Sequence, residues 1–254
     1  MGRFQSKRLL GFRVITPIVM DGKMILGHRG IRGPLENTIP AFLEALRWAD
    51  GVELDVRTLG DGTLVVHHDP GFKLNGGFVH LSELTRIDLK RLHPLRSLVP
   101  TLKEVMKNVR ECMINVDVKE PEVFGEILNI VERYGKGDVV FSFDDIGWLK
   151  NARKICPGCH LGLSITGVKS AVRVPFSGGF YSLHVPLDMV RYIGRRGMMT
   201  LLSIAKRRGL KIFLWNYSMS EVELIPRFLD LLDVVISDNP KLLKRLLRNG
   251  GIQL

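Results

Sequence analysis

Short apolar runs rich in Val, Ile and Leu alternate with longer amphipathic segments through most of this chain. Runs of that length, apolar throughout, read as strands buried on both faces, the pattern of a parallel sheet covered by helices. Strands are expected at 24–28, 51–57, 113–119, 139–143, 160–165, 179–185, 211–217 and 234–237. Between them fall helices at 38–49, 102–109, 122–134, 145–154, 169–172, 200–208, 221–228 and 240–248. Pro40 suits the first turn of its helix, where a missing N–H costs nothing. Strand followed by helix about eight times, within 254 residues, describes an α/β fold of the TIM (β/α)8 barrel type. A doubly wound open sheet is the runner-up, but no Gly-rich dinucleotide fingerprint follows the first strand.

One stretch breaks the rhythm. Asp61-Gly62 reads as a tight turn, with 63–67 returning from it. Residues 69–99 then carry Gly71, Gly76 and Gly77 and a short helical piece near 82–92. They read as a short insertion after the second strand, in a barrel domain spanning 24–250. Residues 1–23 read as an N-terminal extension or a misassigned start, with Met20 and Met24 as alternative first residues. No apolar run approaches the ~18 residues that span a bilayer, and 14–20 is too short and poorly flanked for a signal peptide. A cytoplasmic location is expected.

The polar residues are not spread evenly. His28, Arg29, Glu53, Asp55, His67, His68 and Asp69 sit at or just beyond the ends of the first apolar runs. That is where α/β barrels keep their active sites. Glu53 and Asp55, two apart on a strand, leave the same face. Two carboxylates on one face repel unless a cation or proton offsets them. An exposed edge strand would avoid the problem, but Val52, Leu54 and Val56 argue against exposure. A metal site is the better reading.

His28-Arg29-Gly30, Glu36-Asn37-Thr38, Glu53-Leu54-Asp55-Val56 and Val66-His67-His68-Asp69 together resemble the glycerophosphodiester phosphodiesterase family. Asn115-Val116-Asp117-Val118-Lys119, Leu214-Trp215-Asn216 and the run from Asp233 to Pro240 continue the resemblance in family order. No single piece is specific; the ordered set is. The resemblance implies metal-dependent hydrolysis of a glycerophosphodiester to glycerol phosphate and an alcohol. Glu53, Asp55 and Asp117 would be the metal ligands, and an all-oxygen set favours Mg²⁺ or Ca²⁺, with Mn²⁺ admissible and Zn²⁺ below them. The family usually has Glu where this chain has Asp117, one methylene shorter. The bland reading of Asp117 is a barrel-interior acid paired with Lys119.

His28 and His68 would be the general acid and base, because imidazole titrates near neutral pH. His67 is the confounder: in a strand it faces away from His68, and only the resemblance selects His68. Arg29 and Lys119 would clamp the phosphate, Arg as a planar fork and Lys as a point charge. Glu36 and Asn37 would stand near the phosphate, their plain alternative being helix capping. Trp215 is balanced between an alcohol-pocket wall and a core residue. Ser142 and Asp238 read as supports of the rim, and His80, His93, His160 and His184 have no matched partners, although His184 could line the pocket.

The net charge of +11 suits an anionic partner. The basic clusters lie on helices and read as solvated faces. With no interleaved aromatics or nucleic-acid motif, no nucleic-acid partner is expected, and membrane contact is peripheral at most. The resemblance implies a small glycerophosphodiester as the partner. A lysophospholipase D-like enzyme would need a greasy groove, for which Phe72, Leu74, Phe78 and Phe180 are candidates. An inactive phosphate- or lipid-binding barrel is the other alternative, kept alive by Asp117. Cys156 and Cys159 lie in a helix-to-strand loop, on the face opposite the site, and read as structural, a disulfide if the host is a hyperthermophile.

Overall fold

A computed structural model of the chain describes residues 22–167, 179–218 and 220–248. Eleven strands run in chain order: β1 (Met24–Gly27), β2 (Gly51–Thr58), β3 (Leu64–Val66), β4 (Gly71–Leu74), β5 (Gly77–His80), β6 (Met113–Val118), β7 (Val139–Phe143), β8 (His160–Ser164), β9 (Ser182–Pro186), β10 (Lys211–Trp215) and β11 (Val234–Ser237). Eight of them, β1-β2-β6-β7-β8-β9-β10-β11, pair in parallel, and pairing of β1 with both β2 and β11 closes the sheet into a barrel. The described helices are α1 (Ile39–Leu46), α2 (Arg86–Leu92), α3 (Leu102–Asn108), α4 (Phe124–Tyr134), α5 (Ile146–Ile155), α6 (Val190–Arg207), α7 (Glu221–Leu224) and α8 (Pro240–Arg248). Residues 1–21 of the expected extension over 1–23, and the helix expected at 169–172, lie outside the described residues. No helix among the described residues is long and apolar enough to cross a membrane.

Strand alternation sorts the side chains. Val52, Leu54, Val56, Ile114, Val116 and Val118 pack outward, in one buried cluster with Phe42, Leu102 and Phe124 from the helices. Their inward neighbours are Glu53, Asp55, Asn115 and Asp117. Lower in the barrel the inward positions are apolar: Leu26, Val140, Phe213, Val234 and Ile236 form a separate plug. The barrel is thus filled from below, and its upper end is polar. Gly162 on β8 makes room inside: a Cβ there would lie 2.5 Å from His184 Nε2 and 2.6 Å from Ser182 Oγ.

The insertion has its own small core. β3 pairs antiparallel with β2 outside the barrel, so Val66 faces the main core and Val65 faces the other way. Val65 packs with Leu59, Phe72, Leu81, Leu84, Leu89 and Val99. β4 and β5 form a hairpin, not anticipated above, around Asn75 (φ 49°) and Gly76 (φ 83°). Both turn residues take positive φ, as two-residue hairpins require, and an Asn-Gly pair is the usual way to supply it. α2 and α3 each start at a threonine that caps reciprocally with the acid three residues on, Thr85 with Asp88 and Thr101 with Glu104.

Several helix boundaries differ from expectation: α7 ends at Leu224, where a 3-10 turn over Ile225–Phe228 takes the place of its expected second half. α1 stops at Leu46, three residues early, where Arg47 and Trp48 turn the chain toward β2. α6 starts ten residues before 200, because a first turn precedes a break at Gly194 (φ 65°, ψ 171°). That conformation is open essentially to glycine alone, and glycines at 194 and 197 hide the helical period in the sequence. Cys156 and Cys159 form a disulfide between α5 and β8, at the N-terminal end of the barrel strands.

Gly162→Ala is expected to lose about 1–3 kcal/mol of stability by overpacking the barrel interior. Urea unfolding followed by circular dichroism reads this, and an unchanged midpoint would contradict the packing described.

Candidate active site

Strand register brings the acids together. Parallel pairing of β2 with β6 sets Asp55 directly beside Asp117, and Glu53 lies two residues lower on the same face. One carboxylate oxygen from each of the three lies within 4.8 Å of the others. The shorter side chain at 117 therefore still reaches the group. Glu53 and Asp55 are buried at 5% and 2% exposure, while Asp117 is partly open.

Two cations answer these charges. Lys119 Nζ bridges Asp55 Oδ1 (2.9 Å) and Asp117 Oδ2 (2.5 Å). Burial works against its charge, but the two carboxylates more than compensate and hold the ammonium well above its usual range. Arg29 forms an ion pair with Asp55 (Nε to Oδ2, 3.2 Å), although its N–H is not aligned on that oxygen, and donates from Nη1 to Glu36 Oε1 at 2.6 Å. Asp55 also accepts from Asn37 Nδ2 at 2.9 Å. Burial alone would raise the Asp55 pKa; Lys119, Arg29, His68 and Asn37 reverse this and pull it down. Glu53 has less help. It accepts the Arg29 backbone N–H at 3.0 Å, yet burial and the Asp55 charge drive its pKa upward.

That imbalance leaves the group short of positive charge. Three converging carboxylates, one of them pushed toward protonation for want of positive charge, suit a hard divalent cation bound through oxygen. Lys119 is the side chain that answers Asp117, and it shares Asp55 with Arg29.

The histidines stand on either side. His28, at the end of β1 and 6% exposed, places Nδ1 2.6 Å from Asp238 Oδ1 just past β11. A carboxylate only accepts, so Nδ1 carries the proton and Nε2 turns inward, 3.9 Å from Glu53 Oε2. Burial lowers the His28 pKa, but the Asp238 hydrogen bond and the charges of Glu53 and Asp238 raise it overall. His68 binds Asp69 Oδ1 through Nδ1 at 2.8 Å. Its pKa is lowered, by burial first and by Arg29 and Lys119, against the pull of Asp55. His67 points the other way, toward the insertion, as strand alternation requires.

His28, Arg29, Glu53, Asp55, His68, Asp117 and Lys119 line one cleft of about 590 Å³ at the C-terminal end of the barrel, with Trp215, Tyr217, Ser142 and His184 in its wall. Trp215 is edge-on to His28, ring centroids 6.3 Å apart, so it is a wall residue. His184 is buried against Phe213, and burial holds its pKa down to about 4. Glu36 binds Arg29 and stands outside the carboxylate group. Asn37 is not the helix cap: Thr38 caps α1, and Asn37, at φ 59°, holds Asp55 instead.

Asp238 was read as rim support and proves to be the partner of His28. Asn216 (3.2 Å) and Arg32 (3.3 Å) hold its other oxygen. Ser142 donates to Asp117 Oδ1 at 2.7 Å. Their only sequence signal was position at a strand end. Of the four residues suggested for a greasy groove none lines the cleft: Phe72 and Leu74 pack under the insertion, Phe180 is in the main core and Phe78 is exposed.

The sequence model of the Glycerophosphoryl diester phosphodiesterase family matches residues 28–160. A glycerophosphodiester phosphodiesterase of Caldanaerobacter subterraneus subsp. tengcongensis is 26% identical over 250 residues, 90% of this chain and 99% of that one. The solved glycerophosphodiester phosphodiesterase of Thermotoga maritima is 31% identical, with a TM-score of 0.72 over 88% of this chain and 98% of that one. A phosphodiesterase of Oleispira antarctica, solved with the product sn-glycerol-3-phosphate, shares the fold at a TM-score of 0.72 and 20% identity, over 88% of this chain and 96% of that one.

Asp55→Asn and Asp117→Asn are each expected to weaken Mg²⁺ or Ca²⁺ binding at least about tenfold, as loss of a charged ligand should. Glu36→Gln should change it little. Isothermal titration calorimetry makes the comparison, and equal losses for all three would place the ion elsewhere.

Proposed function

The chain belongs to the glycerophosphoryl diester phosphodiesterase family, a metal-dependent family that hydrolyses glycerophosphodiesters, and on that premise we propose how its own residues divide the work. The diester phosphate lies between Arg29 and Lys119, above Glu53, Asp55 and Asp117. His28 and His68 act as the acid–base pair. One takes the proton from the glycerol hydroxyl next to the phosphate as that oxygen attacks phosphorus; the other gives a proton to the departing alcohol. Water then opens the cyclic phosphate with the same pair in exchanged roles, leaving glycerol phosphate. The observation that carries the reading is the pair itself. Each imidazole is held at Nδ1 by a carboxylate, Asp238 or Asp69, which presents Nε2 for proton transfer.

The carboxylates Glu53, Asp55 and Asp117 would hold the ion, Mg²⁺ or Ca²⁺ by the chemistry of the donors, with Mn²⁺ compatible. When bound it supplies Lewis-acid polarisation of a phosphoryl oxygen. Trp215 and Tyr217 form the wall against which the alcohol portion would rest. Glu36 positions Arg29, and Asn37 positions Asp55. The charged and polar side chains that line most of the cleft favour a deacylated, water-soluble diester over a lysophospholipid. A single barrel domain over 24–250, located in the cytoplasm and with at most peripheral membrane contact, completes the proposal.

Purified protein should hydrolyse glycerophosphocholine or glycerophosphoethanolamine, lose the activity in EDTA and regain it with Mg²⁺, Ca²⁺ or Mn²⁺. His28→Ala should reduce kcat by about 10²–10⁴, the usual worth of a general acid or base. Turnover that survives both treatments would sink the proposal.

Asp238→Asn keeps the shape but exchanges the carboxylate for an amide. It is expected to lower kcat by about tenfold or more, with KM nearly constant, as loss of an orienting partner should. Steady-state kinetics decide: an unchanged kcat would return Asp238 to the rim.

A further inference from the structure

The residue beside the second catalytic histidine has no part in the chemistry above, yet it is tied down more firmly than its neighbour. His67 Nδ1 lies 2.8 Å from the Asp69 carbonyl oxygen, and His67 Nε2 lies 3.2 Å from His93 Nε2. His93 closes α2 of the insertion, 6% exposed, with its Nδ1 3.0 Å from the backbone nitrogen of Leu95. Phe72 packs edge-on against the same ring, centroids 4.6 Å apart.

The ends of this chain of contacts fix its direction. The Leu95 N–H only donates, so His93 Nδ1 accepts, and in the neutral ring Nε2 carries the hydrogen. The Asp69 carbonyl only accepts, so His67 Nδ1 carries the hydrogen and Nε2 is the acceptor. The middle contact then has one sense: His93 Nε2–H donates to His67 Nε2. Every polar atom of both rings is used once. Both imidazoles must be neutral for this, and burial holds His93 down to about 4.

We propose that His67 and His93 are positioning residues for catalysis, fastening residue 69 to the insertion so that its carboxylate holds His68 in place. Asp69 is gripped from both sides: its carbonyl takes the His67 hydrogen and its carboxylate takes the His68 hydrogen. The other bonds of the segment after β3 fall on its neighbours: His67 N–H donates to the Asp55 carbonyl, Arg57 Nε donates to the His68 carbonyl at 2.7 Å, and Leu81 N–H donates to the Pro70 carbonyl. His68 and Asp69 are among the more exposed groups of the site, with side chains 38% and 68% exposed, so packing does little to orient them. The insertion thus has a catalytic use: the barrel grips the backbone of His67 and His68, and the insertion carries the anchor for residue 69, whose carboxylate orients the His68 ring.

A metal between the two rings fits less well. The 3.2 Å spacing would suit two ligands of one zinc ion. However, His93 would have to surrender its Nε2 hydrogen and move it to Nδ1, against the Leu95 N–H. The carboxylate group of the cleft is the one metal-type cluster among the described residues, and neither ring belongs to it.

The proposal rests on His68 being catalytic, and two measurements separate it from that reading. His93→Phe keeps the ring and removes the donor. It should lower kcat for glycerophosphocholine about tenfold with KM within about twofold, as a small misplacement of a catalytic group does. His93→Gln, whose amide can replace the Nε2–H, should recover most of the loss. In a His68→Ala background His93→Phe should cost nothing further, because its effect runs through His68. A full additional loss there, or a fall in thermal stability with kcat intact, would overturn the proposal. Ring ¹H–¹⁵N correlation spectra of the unaltered protein give the second measurement and need no activity. They should show His67 protonated at Nδ1 and His93 at Nε2. The opposite tautomer on either ring overturns the chain of bonds, even where a variant fails to fold. If wild-type protein turned over no diester, the reaction reading would fail and the spectra would still decide the bonding.

Discussion

Three carboxylates crowded at the open end of the barrel set the terms for everything around them. Glu53 and Asp55 are buried, and Asp117 stands beside Asp55 in register. Charges this close, with so little water, are tolerable only with positive charge among them. Lys119 and Arg29 supply part of it, directly on Asp55 and Asp117. Glu53 is left short, and burial with the Asp55 charge raises its pKa, which suits the three-carboxylate group to a divalent ion. The same cations that neutralise the acids also make the cleft attractive to a phosphate diester. Metal binding and substrate binding, as proposed, would be two answers to one electrostatic problem.

The support around the cleft follows a common rule: the outer nitrogen or oxygen of each working group is occupied. Asp238 takes Nδ1 of His28, and Asn216 with Arg32 takes the other Asp238 oxygen. Ser142 holds Asp117, Asn37 holds Asp55 and Glu36 holds Arg29. Arg29 and Asn37 both adopt positive φ to reach these positions. Such backbone is uncommon for residues with a Cβ and tends to persist where function over-determines it. The two histidines proposed as acid and base differ in how they are kept: His28 is enclosed by the barrel, whereas His68 is held to Asp69 on a segment that His67 ties to the insertion.

Much of this was legible in the chain. Continuous apolar runs alternating with amphipathic ones implied parallel strands inside a ring of helices, and the barrel followed from their number. The two-residue spacing of Glu53 and Asp55 put both acids on one face, and the same alternation parted His67 from His68. Helix boundaries were less readable where glycine disguised the period, as at Gly194. The hairpin at Asn75-Gly76 had a clear turn signal, but the strands flanking it are only four residues each and weakly patterned.

The sequence alone determined which residue types stand at the strand ends, because side-chain periodicity is local and survives without knowledge of partners. Tertiary structure alone decided who holds whom. Asp238 lies 210 positions from His28, and only closure of the barrel, β1 against β11, makes them neighbours. The shorter acid at 117 could be judged only from register, since its reach depends on the strand beside it. Asn37 looked like a cap and is a clasp, because a residue's local propensity says nothing of a carboxylate on the next strand. His93 had no partner in sequence for the same reason: what joins it to His67 is the packing of an insertion against an edge, a contact no local pattern encodes.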